Sequence, residues 1–265
     1  MLTYPEISAT AISLGPLQIR WYGLMYLAAF ASAWWLAVRR AKRDYSPCRP
    51  EQVGDLIFYG ALGVILGGRL GYVLFYGLDD WADDLLSPVK IWEGGMSFHG
   101  GLLGVLVAMW YFARQVKTGF WHVTDFIAPI VPLGLGFGRI GNFINGELWG
   151  KPTTVPWGFE VNGVVRHASQ LYEALLEGLV LFLILWFFSA RPRPTMAVSG
   201  MFLLFYGIFR GAIEFVRLPD VDPGYIAFGW LTMGQVLSTP MILFGIILLL
   251  LAYRLPASGS REATS

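Results

Sequence analysis

Apolar runs separated by short polar segments set the pattern of this 265-residue chain. A helix needs roughly 20 apolar residues to span a bilayer, and runs near that length occur at seven places. They cover residues 17–39, 54–76, 96–114, 122–140, 170–189, 198–218 and 233–254. The pattern predicts an all-α polytopic membrane protein with seven transmembrane helices, whose termini lie on opposite sides of the membrane.

The longest connection between these runs, at about residues 141–169, is rich in Gly, Pro and aromatic residues. Near its middle, alternating apolar residues precede Asn162-Gly163, and Asn-Gly is the strongest short signal for a hairpin turn. We therefore expect a small external β-hairpin in this loop, within a single transmembrane domain over residues 1–255. Residues 256–265 are expected to form a disordered cytoplasmic tail.

Composition supports a membrane protein, because 55% of the residues are hydrophobic and only 14% are charged. In soluble domains, about 45–50% of the residues are apolar and about 25% are charged. A net charge of +1 gives no case for nucleic-acid binding, which usually needs a clustered basic face. The single cysteine fits no metal-binding spacing and the three histidines are scattered, so we expect neither a metal nor a cofactor.

Basic residues assign the two sides of the membrane. Cytoplasmic loops collect Lys and Arg, and eleven of the nineteen such residues follow the first, third, fifth and seventh predicted helices. They are Arg39, Arg40, Lys42, Arg43, Arg49, Arg114, Lys117, Arg191, Arg193, Arg254 and Arg261. The opposite loops hold Lys90, Lys151 and Arg166 beside Asp79, Asp80, Asp83 and Asp84. This distribution predicts an external N-terminus and a cytoplasmic C-terminus.

Four arginines, Arg69, Arg139, Arg210 and Arg217, lie inside or at the ends of apolar runs. An Arg at the centre of a membrane helix costs roughly 2.5–3.5 kcal/mol, so it normally faces a partner or a polar cavity. In the predicted topology all four belong to the outer half of the membrane. Their placement indicates a site for an anionic group.

The sixth predicted helix carries Tyr206, Arg210, Glu214 and Arg217 at spacings of four, four and three residues. These spacings place the four side chains on one helix face. One explanation is structural: Glu214 forms an internal ion pair with Arg210 or Arg217 that stabilises the helix bundle. One carboxylate does not neutralise two arginines, however, and the planar guanidinium matches phosphate oxygens, so the face favours an anionic partner.

The fifth predicted helix begins with Gln170, Glu173 and Glu177 on one face, at spacings of three and four residues. Either these carboxylates pair with Arg69 or Arg139, or they act on a substrate. The sequence leaves both possibilities open.

The fourth predicted helix ends in a glycine-rich segment with Arg139, Asn142, Asn145 and Glu147, which supply polar groups at the outer interface. A G-x-G-x-x-G match at 136–141 is formal only, because the dinucleotide motif needs a preceding strand and a βαβ unit. The glycines fit better with close approach of a ligand or a neighbouring helix.

His99 opens the third predicted helix among glycines. A neutral imidazole there can accept a proton, although a lone His is more often structural. Tyr22, near the outer end of the first helix, is either an interfacial aromatic anchor or a donor into the site. No G-x-S-x-G elbow is present, and Cys48 lies on a predicted cytoplasmic loop, so neither a serine nor a cysteine nucleophile is indicated.

Four segments together resemble the bacterial phosphatidylglycerol-prolipoprotein diacylglyceryl transferase family over about residues 21–253. They are Gly67-Gly-Arg69-Leu-Gly-Tyr72, His99-Gly-Gly-Leu, Gly138-Arg139-Ile-Gly-Asn142-Phe-Ile-Asn145-Gly-Glu147 and Tyr206-Gly-Ile-Phe-Arg210. The external arm around residues 151–166 is short for this family, which leaves the contacts to the peptide less defined.

The resemblance implies transfer of the diacylglyceryl group of phosphatidylglycerol to the lipobox cysteine in the signal peptide of a preprolipoprotein, with release of glycerol 1-phosphate. It implies a multi-pass protein of the bacterial inner membrane with its active site facing the outer leaflet and the periplasm. Arg139 and Arg210 are then expected to stabilise the departing phosphate, and His99 to deprotonate the thiol. The head group is expected to be bound or oriented by Tyr22, Arg69, Asn142, Asn145, Glu147, Tyr206, Glu214 and Arg217.

Within this set, Arg69 and Arg217 are expected to serve mainly as partners of Glu173, Glu177 or Glu214. The alternative function is a transporter or flippase for an anionic lipid, which needs polar groups along a pathway into the cytoplasmic half. Polar residues concentrate instead in the predicted outer half. A structural scaffold would leave the excess of arginine unexplained.

Overall fold

The computed structural model describes residues 2–254 except 6, 16, 79–85, 87–88, 91–93 and 220–223. The acidic residues within 79–84 and the tail at 256–265 therefore lie outside the described residues. The described chain is mostly helical. Its helices are α1 (Trp21–Ala41), α2 (Val53–Tyr76, after a 3-10 turn at Pro50–Gln52), α3 (Phe98–Gln115), α4 (Phe120–Ile127), α5 (Val131–Ile144), α6 (Ser169–Phe188), α7 (Ala197–Ile213) and α8 (Met233–Arg254).

Six predicted spans each contain one of these helices or most of it, and the span 122–140 contains most of both α4 and α5. By length and composition, four described helices could cross a membrane, namely α1, α2 with its preceding turn, α6 and α8. The pair α4 and α5, bent by 46°, makes a fifth if it forms one span, whereas α7 is a shorter apolar helix. The apolar helices agree with a membrane protein, while seven spans and their sidedness stay predictions.

Short strands flank the helices. They are β1 (Leu2–Thr3), β2 (Thr10–Leu14), β3 (Leu17–Arg20), β4 (Phe159–Val161), β5 (Val164–Arg166), β6 (Tyr225–Ala227) and β7 (Leu231–Thr232). β1 pairs in parallel with β4, and the antiparallel pairs are β2–β3, β4–β5 and β6–β7.

The hairpin β4–β5 turns at Asn162 and Gly163. Both residues have positive φ, 51° and 76°, as a type I′ turn requires. The Asn-Gly pair thus lies at an observed hairpin turn, and the external position of this hairpin stays a prediction.

The chain divides into two compact units. The small unit comprises residues 37–126, and the large unit comprises residues 1–36 and 127–265. In the small unit, α2 and α3 approach so closely that a side chain at Gly67 or Gly100 would overlap the facing backbone. Glycines permit such close packing of membrane helices.

The large unit places α5, α6 and α7 side by side. Leu181 and Leu185 of α6 are fully buried and share a core with Val198 of α7. A Cβ added to Gly178 of α6 would lie 2.8 Å from the Gly136 Cα of α5. This backbone contact brings Arg139, one turn after Gly136, to the side of α6.

Candidate active site

The middle of α6 is a π-helix, Ala174–Val180, between two α-helical parts. Such turns are rare and occur frequently at functional sites. The π-helix begins directly after Glu173 and contains Glu177, and the two residues are 0% and 1% exposed. The carboxylates predicted to share one face of this helix are therefore buried in the large unit.

Glu173 is surrounded by three arginines. Its Oε2 lies 2.6 Å from Arg139 Nε and 3.2 Å from Arg210 Nη1, and its Oε1 lies 4.0 Å from Arg217 Nε. Arg139 comes from α5, Arg210 from α7, and Arg217 from the segment after α7. A single buried carboxylate of α6 thus links α5, α7 and the segment after α7.

Glu214 is a second carboxylate that pairs with more than one arginine. Its Oε1 lies 2.6 Å from Arg210 Nη2 and 3.3 Å from Arg217 Nη1, and its Oε2 accepts a 2.6 Å hydrogen bond from Thr232 Oγ1. Glu177 is more distant, with Oε1 3.8 Å from Arg210 Nη1. The pairing of Arg217 with Glu214 confirms the expectation that this arginine serves a glutamate.

We call Arg139, Glu173, Glu177, Arg210, Glu214 and Arg217 the arginine–glutamate cluster. Three formal positive charges face three formal negative charges, so the cluster as a whole is balanced. The excess of arginine inferred from the α7 face alone is therefore wrong for this cluster, because α6 contributes two further carboxylates. Balance is favourable here, since an unpaired charge buried at such a site costs several kcal/mol.

Two arginines of the balanced cluster still offer donors. Arg139 reaches Glu173 through Nε, and its side chain is 25% exposed. Among the described residues, its Nη1 has one contact, at 3.5 Å to Asn142 Oδ1. Arg210 is 13% exposed, and its buried Nη1 makes no aligned hydrogen bond within the described part of the chain. Guanidinium N–H groups without aligned acceptors suit the oxygens of a phosphate.

Glu147 organises the polar rim after α5. Its carboxylate accepts hydrogen bonds of 3.2 Å from Asn142 Nδ2 and from Asn145 Nδ2, and its carbonyl accepts one from Gln170 Nε2 of α6. Three polar side chains predicted at this interface are thus joined through Glu147, and Gln170 ties them to α6. The rim is continuous with the cluster through Asn142 and Arg139.

Two tyrosines predicted at the site lie in the large unit. Tyr22 of α1 lies against Gly141, where an added Cβ would be 3.0 Å from its ring, and its hydroxyl is 3.3 Å from that of Tyr26. Tyr206 of α7 packs against the core that contains Leu181 and Leu185.

Arg69 and His99 lie in the small unit. Arg69 is 6% exposed and donates to the carbonyls of Gly94 and Gly95, with its guanidinium over the Tyr72 ring. His99 is exposed at the second residue of α3. A pairing of Arg69 with a glutamate of the cluster, and the proton transfer assigned to His99, stay predictions.

His167 lies just before α6 and has a structural contact. Its Nδ1 is 3.2 Å from the Tyr172 hydroxyl, which also accepts a 2.9 Å hydrogen bond from Trp157 Nε1. Burial lowers the pKa of His167. No three His, Cys, Asp or Glu side chains of the described residues are grouped so that they could hold a metal ion.

Sequence reasoning missed Thr232 as a partner of the cluster. It stands in β7, outside every motif and 18 residues beyond Glu214, so no local pattern marked it. Glu173 and Glu177 were identified by their spacing on one helix face. Arg139, one of their two candidate partners, is confirmed as a partner of Glu173, whereas Arg210 was not predicted to meet these two carboxylates.

Comparisons with known proteins identify the family of the chain. A family model described as prolipoprotein diacylglyceryl transferase matches residues 9–251. The phosphatidylglycerol-prolipoprotein diacylglyceryl transferase of Methylococcus capsulatus is 60% identical over 257 residues, which are 96% of this chain and 98% of that protein. The protein of the same name from Pseudomonas paraeruginosa is 56% identical over 266 residues, which are 99% of this chain and 100% of that protein. The one from Ectopseudomonas mendocina is 58% identical over 268 residues, which cover 98% of this chain and 100% of that protein. Because these similarities extend over nearly the whole chain, it belongs to the prolipoprotein diacylglyceryl transferase family.

Proposed function

We propose that the chain transfers the diacylglyceryl group of phosphatidylglycerol to the cysteine thiol of prolipoproteins. The names of relatives at 56–60% identity support this reaction. One observation in the large unit supports the proposal most directly. The Arg139 side chain is partly exposed and lies beside the amide of Asn142, while its Nε pairs with the buried Glu173.

The reaction exchanges one bond at a glycerol carbon. The thiolate sulfur attacks the diacylglyceryl carbon that bears the phosphate ester, a C–S bond forms and the C–O bond breaks. The electron pair of that bond leaves on the phosphate oxygen, and glycerol 1-phosphate is released. The thiol proton passes to a base, because only the thiolate is strongly nucleophilic.

Arg139 and Arg210 are assigned to the phosphate. Negative charge grows on the departing ester oxygen, and donors that are already in place stabilise it without reorganisation in a site of low dielectric. Since the cluster is balanced without substrate, the phosphate is assigned to N–H groups that make no aligned hydrogen bond to a glutamate. Within the described residues, Arg139 Nη1 has a long contact to Asn142. Arg210 Nη1 has no aligned hydrogen bond there, although it lies 3.2 Å from Glu173 Oε2 and 3.8 Å from Glu177 Oε1.

The remaining roles follow from chemistry and from the family resemblance. His99 is assigned to take the thiol proton. Glu214 and Arg217 hold Arg210 in place through their ion pairs. The glycerol head group is assigned to the hydroxyls and amides around the cluster, with Arg69 as a further ligand. The hydroxyl and amide groups belong to Tyr22, Asn142, Asn145 and Tyr206, and Glu147 orients the amides.

The proposal includes a membrane arrangement. We assign the chain seven spans in the bacterial inner membrane, an external N-terminus, a cytoplasmic C-terminus and an external β4–β5 hairpin, with the active site facing the outer leaflet and the periplasm. The peptide substrate is assigned as a signal peptide with a lipobox cysteine. The distribution of Lys and Arg between the loops supports this sidedness.

Purified protein, phosphatidylglycerol and a lipobox peptide test the proposal. We expect a thioether-linked diacylglyceryl peptide, detected by its mass. Arg139→Ala and Arg210→Ala should each lower the rate by about 10²–10³-fold, the usual loss when a preorganised donor is removed, whereas Arg191→Ala, at an exposed position, should retain it. Full activity of either cluster variant would overturn the assignment of that arginine as a ligand of the phosphate.

His99→Gln tests the base separately. Loss of turnover with unchanged binding of phosphatidylglycerol agrees with the role, and near-normal turnover removes it. A transporter or flippase would move lipid without forming a thioether peptide, and the relatives' names give that alternative no support.

A further inference from the structure

A cavity of about 480 Å³ lies within the small unit. The loop after α1, the beginning of α2 and the end of α3 line it. Its size is within the range of roughly 300–1,000 Å³ that small-molecule sites occupy. None of its lining residues belongs to the arginine–glutamate cluster or to its rim.

The lining is strongly basic. It contains Arg43, Arg49 and Lys117 but only Asp44 as an acidic residue, which makes a formal charge of +2. Within the part of the chain that the structure describes, neither Arg49 nor Lys117 has an ion-pair partner. Basic loop residues are expected on the cytoplasmic side, but their convergence on one cavity is a separate feature.

The backbone beside the cavity is held in a defined conformation. The 3-10 turn Pro50–Gln52 begins at the cavity and leads into α2. Gln52 Oε1 accepts a 2.8 Å hydrogen bond from Arg49 N, which fixes the start of this turn. Lys117 has φ of 56°, a conformation uncommon for a residue other than glycine.

We propose that this cavity, the basic cavity, binds the phosphate group of an anionic phospholipid headgroup. Basic pockets beside membrane helices on the cytoplasmic side are suited to such headgroups, and the loops that line the cavity follow the first and third predicted spans. The chemistry recognised is the phosphate, which free phosphate shares. The basic cavity goes beyond the transferase activity, since it uses none of the residues assigned to the reaction.

Cys48 provides a direct readout, because it lines the cavity, is the single cysteine of the chain and is 6% exposed. The test measures the rate at which N-ethylmaleimide alkylates it in nanodiscs of phosphatidylcholine, with or without phosphatidylglycerol. We expect alkylation to slow by about fivefold with phosphatidylglycerol, as for a site that is four-fifths occupied. Inorganic phosphate added to phosphatidylcholine nanodiscs identifies the source: protection there at millimolar phosphate assigns the site to soluble phosphates and overturns the lipid.

Matched variants separate the basic cavity from general surface charge. Arg49→Gln/Lys117→Asn removes two charges from the lining, and Asn tolerates the positive φ at position 117. Lys42→Gln/Arg191→Gln removes two charges at exposed positions outside the lining. We expect the first pair to abolish the protection and the second to retain it.

Equal protection in all three proteins would mean that the anionic membrane surface alone slows the reaction, and would overturn the proposal. No protection in the wild-type protein by either phosphatidylglycerol or phosphate would do the same. If the first double variant does not fold, Arg49→Gln alone is compared with Lys42→Gln, and retained protection in Arg49→Gln refutes the site. Transferase activity is measured in parallel, so failure of the basic cavity is distinguishable from failure of the proposed reaction.

Discussion

Glu173→Gln tests whether one buried carboxylate holds the active site together. The amide keeps the shape of the side chain and one acceptor oxygen, but it replaces the other oxygen by a donor and leaves the cluster with one excess positive charge. If the amide nitrogen replaces Oε2, the contacts with Arg139 at 2.6 Å and Arg210 at 3.2 Å are lost. If it replaces Oε1, the contact with Arg217 at 4.0 Å is lost. Removing one partner of a buried ion pair costs about 3–5 kcal/mol. For a chain of this length each kcal/mol lowers Tm by roughly 2–4 °C, so we expect a fall of roughly 6–20 °C.

The measurement is thermal unfolding of the purified protein in detergent, followed by the loss of the monodisperse species. Glu160→Gln is the matched control, because Glu160 carries the same group at an exposed position of β4. Surface substitutions change stability by about 0.5 kcal/mol or less, so this variant should melt within about 2 °C of the wild type. The comparison holds the chemical change constant and varies only burial.

Equal melting of the two variants would refute the reasoning. It would mean that the arginines around Glu173 do not need its charge, either because water reaches them or because another carboxylate compensates. A large fall only for Glu173→Gln, with retained secondary structure, supports an ionised and balanced cluster.

Three further predictions address the packing, the Glu214 carboxylate and the thiol. Gly178→Ala should lower stability by about 1–3 kcal/mol, because the added Cβ meets the facing helix at 2.8 Å, whereas Gly138→Ala, with nothing within 4 Å, should melt like the wild type. Thr232→Val removes the 2.6 Å hydrogen bond to Glu214 and should cost about 1.5–3 kcal/mol, while Thr232→Ser should retain most of the stability; equal melting of the two would contradict this. Burial raises the pKa of the Cys48 thiol, so the thiolate forms at higher pH than in free cysteine, and the midpoint of its alkylation rate should lie above that of N-acetylcysteine; a midpoint at or below it would contradict the burial.

Local patterns predicted the parts of this protein that depend on neighbouring residues. Spacings of four and three residues along the sixth predicted helix placed Arg210, Glu214 and Arg217 on one face, and the structure joins them by ion pairs. The Asn162-Gly163 signal lies at an observed hairpin turn because the required backbone angles are a property of those two residues. Motif residues likewise placed the chain in its family before any contact was known.

The tertiary structure alone decided how the charges balance. Glu173 meets Arg139 and Arg210 because α5, α6 and α7 pack side by side, with glycines at the α5–α6 contact. Thr232 reaches Glu214 only through the return of the chain into β7. The sequence alone shows which residues share one helix face, because the helical repeat relates residues that are close in sequence. The charge of a site, however, is a sum over helices distant in sequence, and only their packing determines which of them contribute.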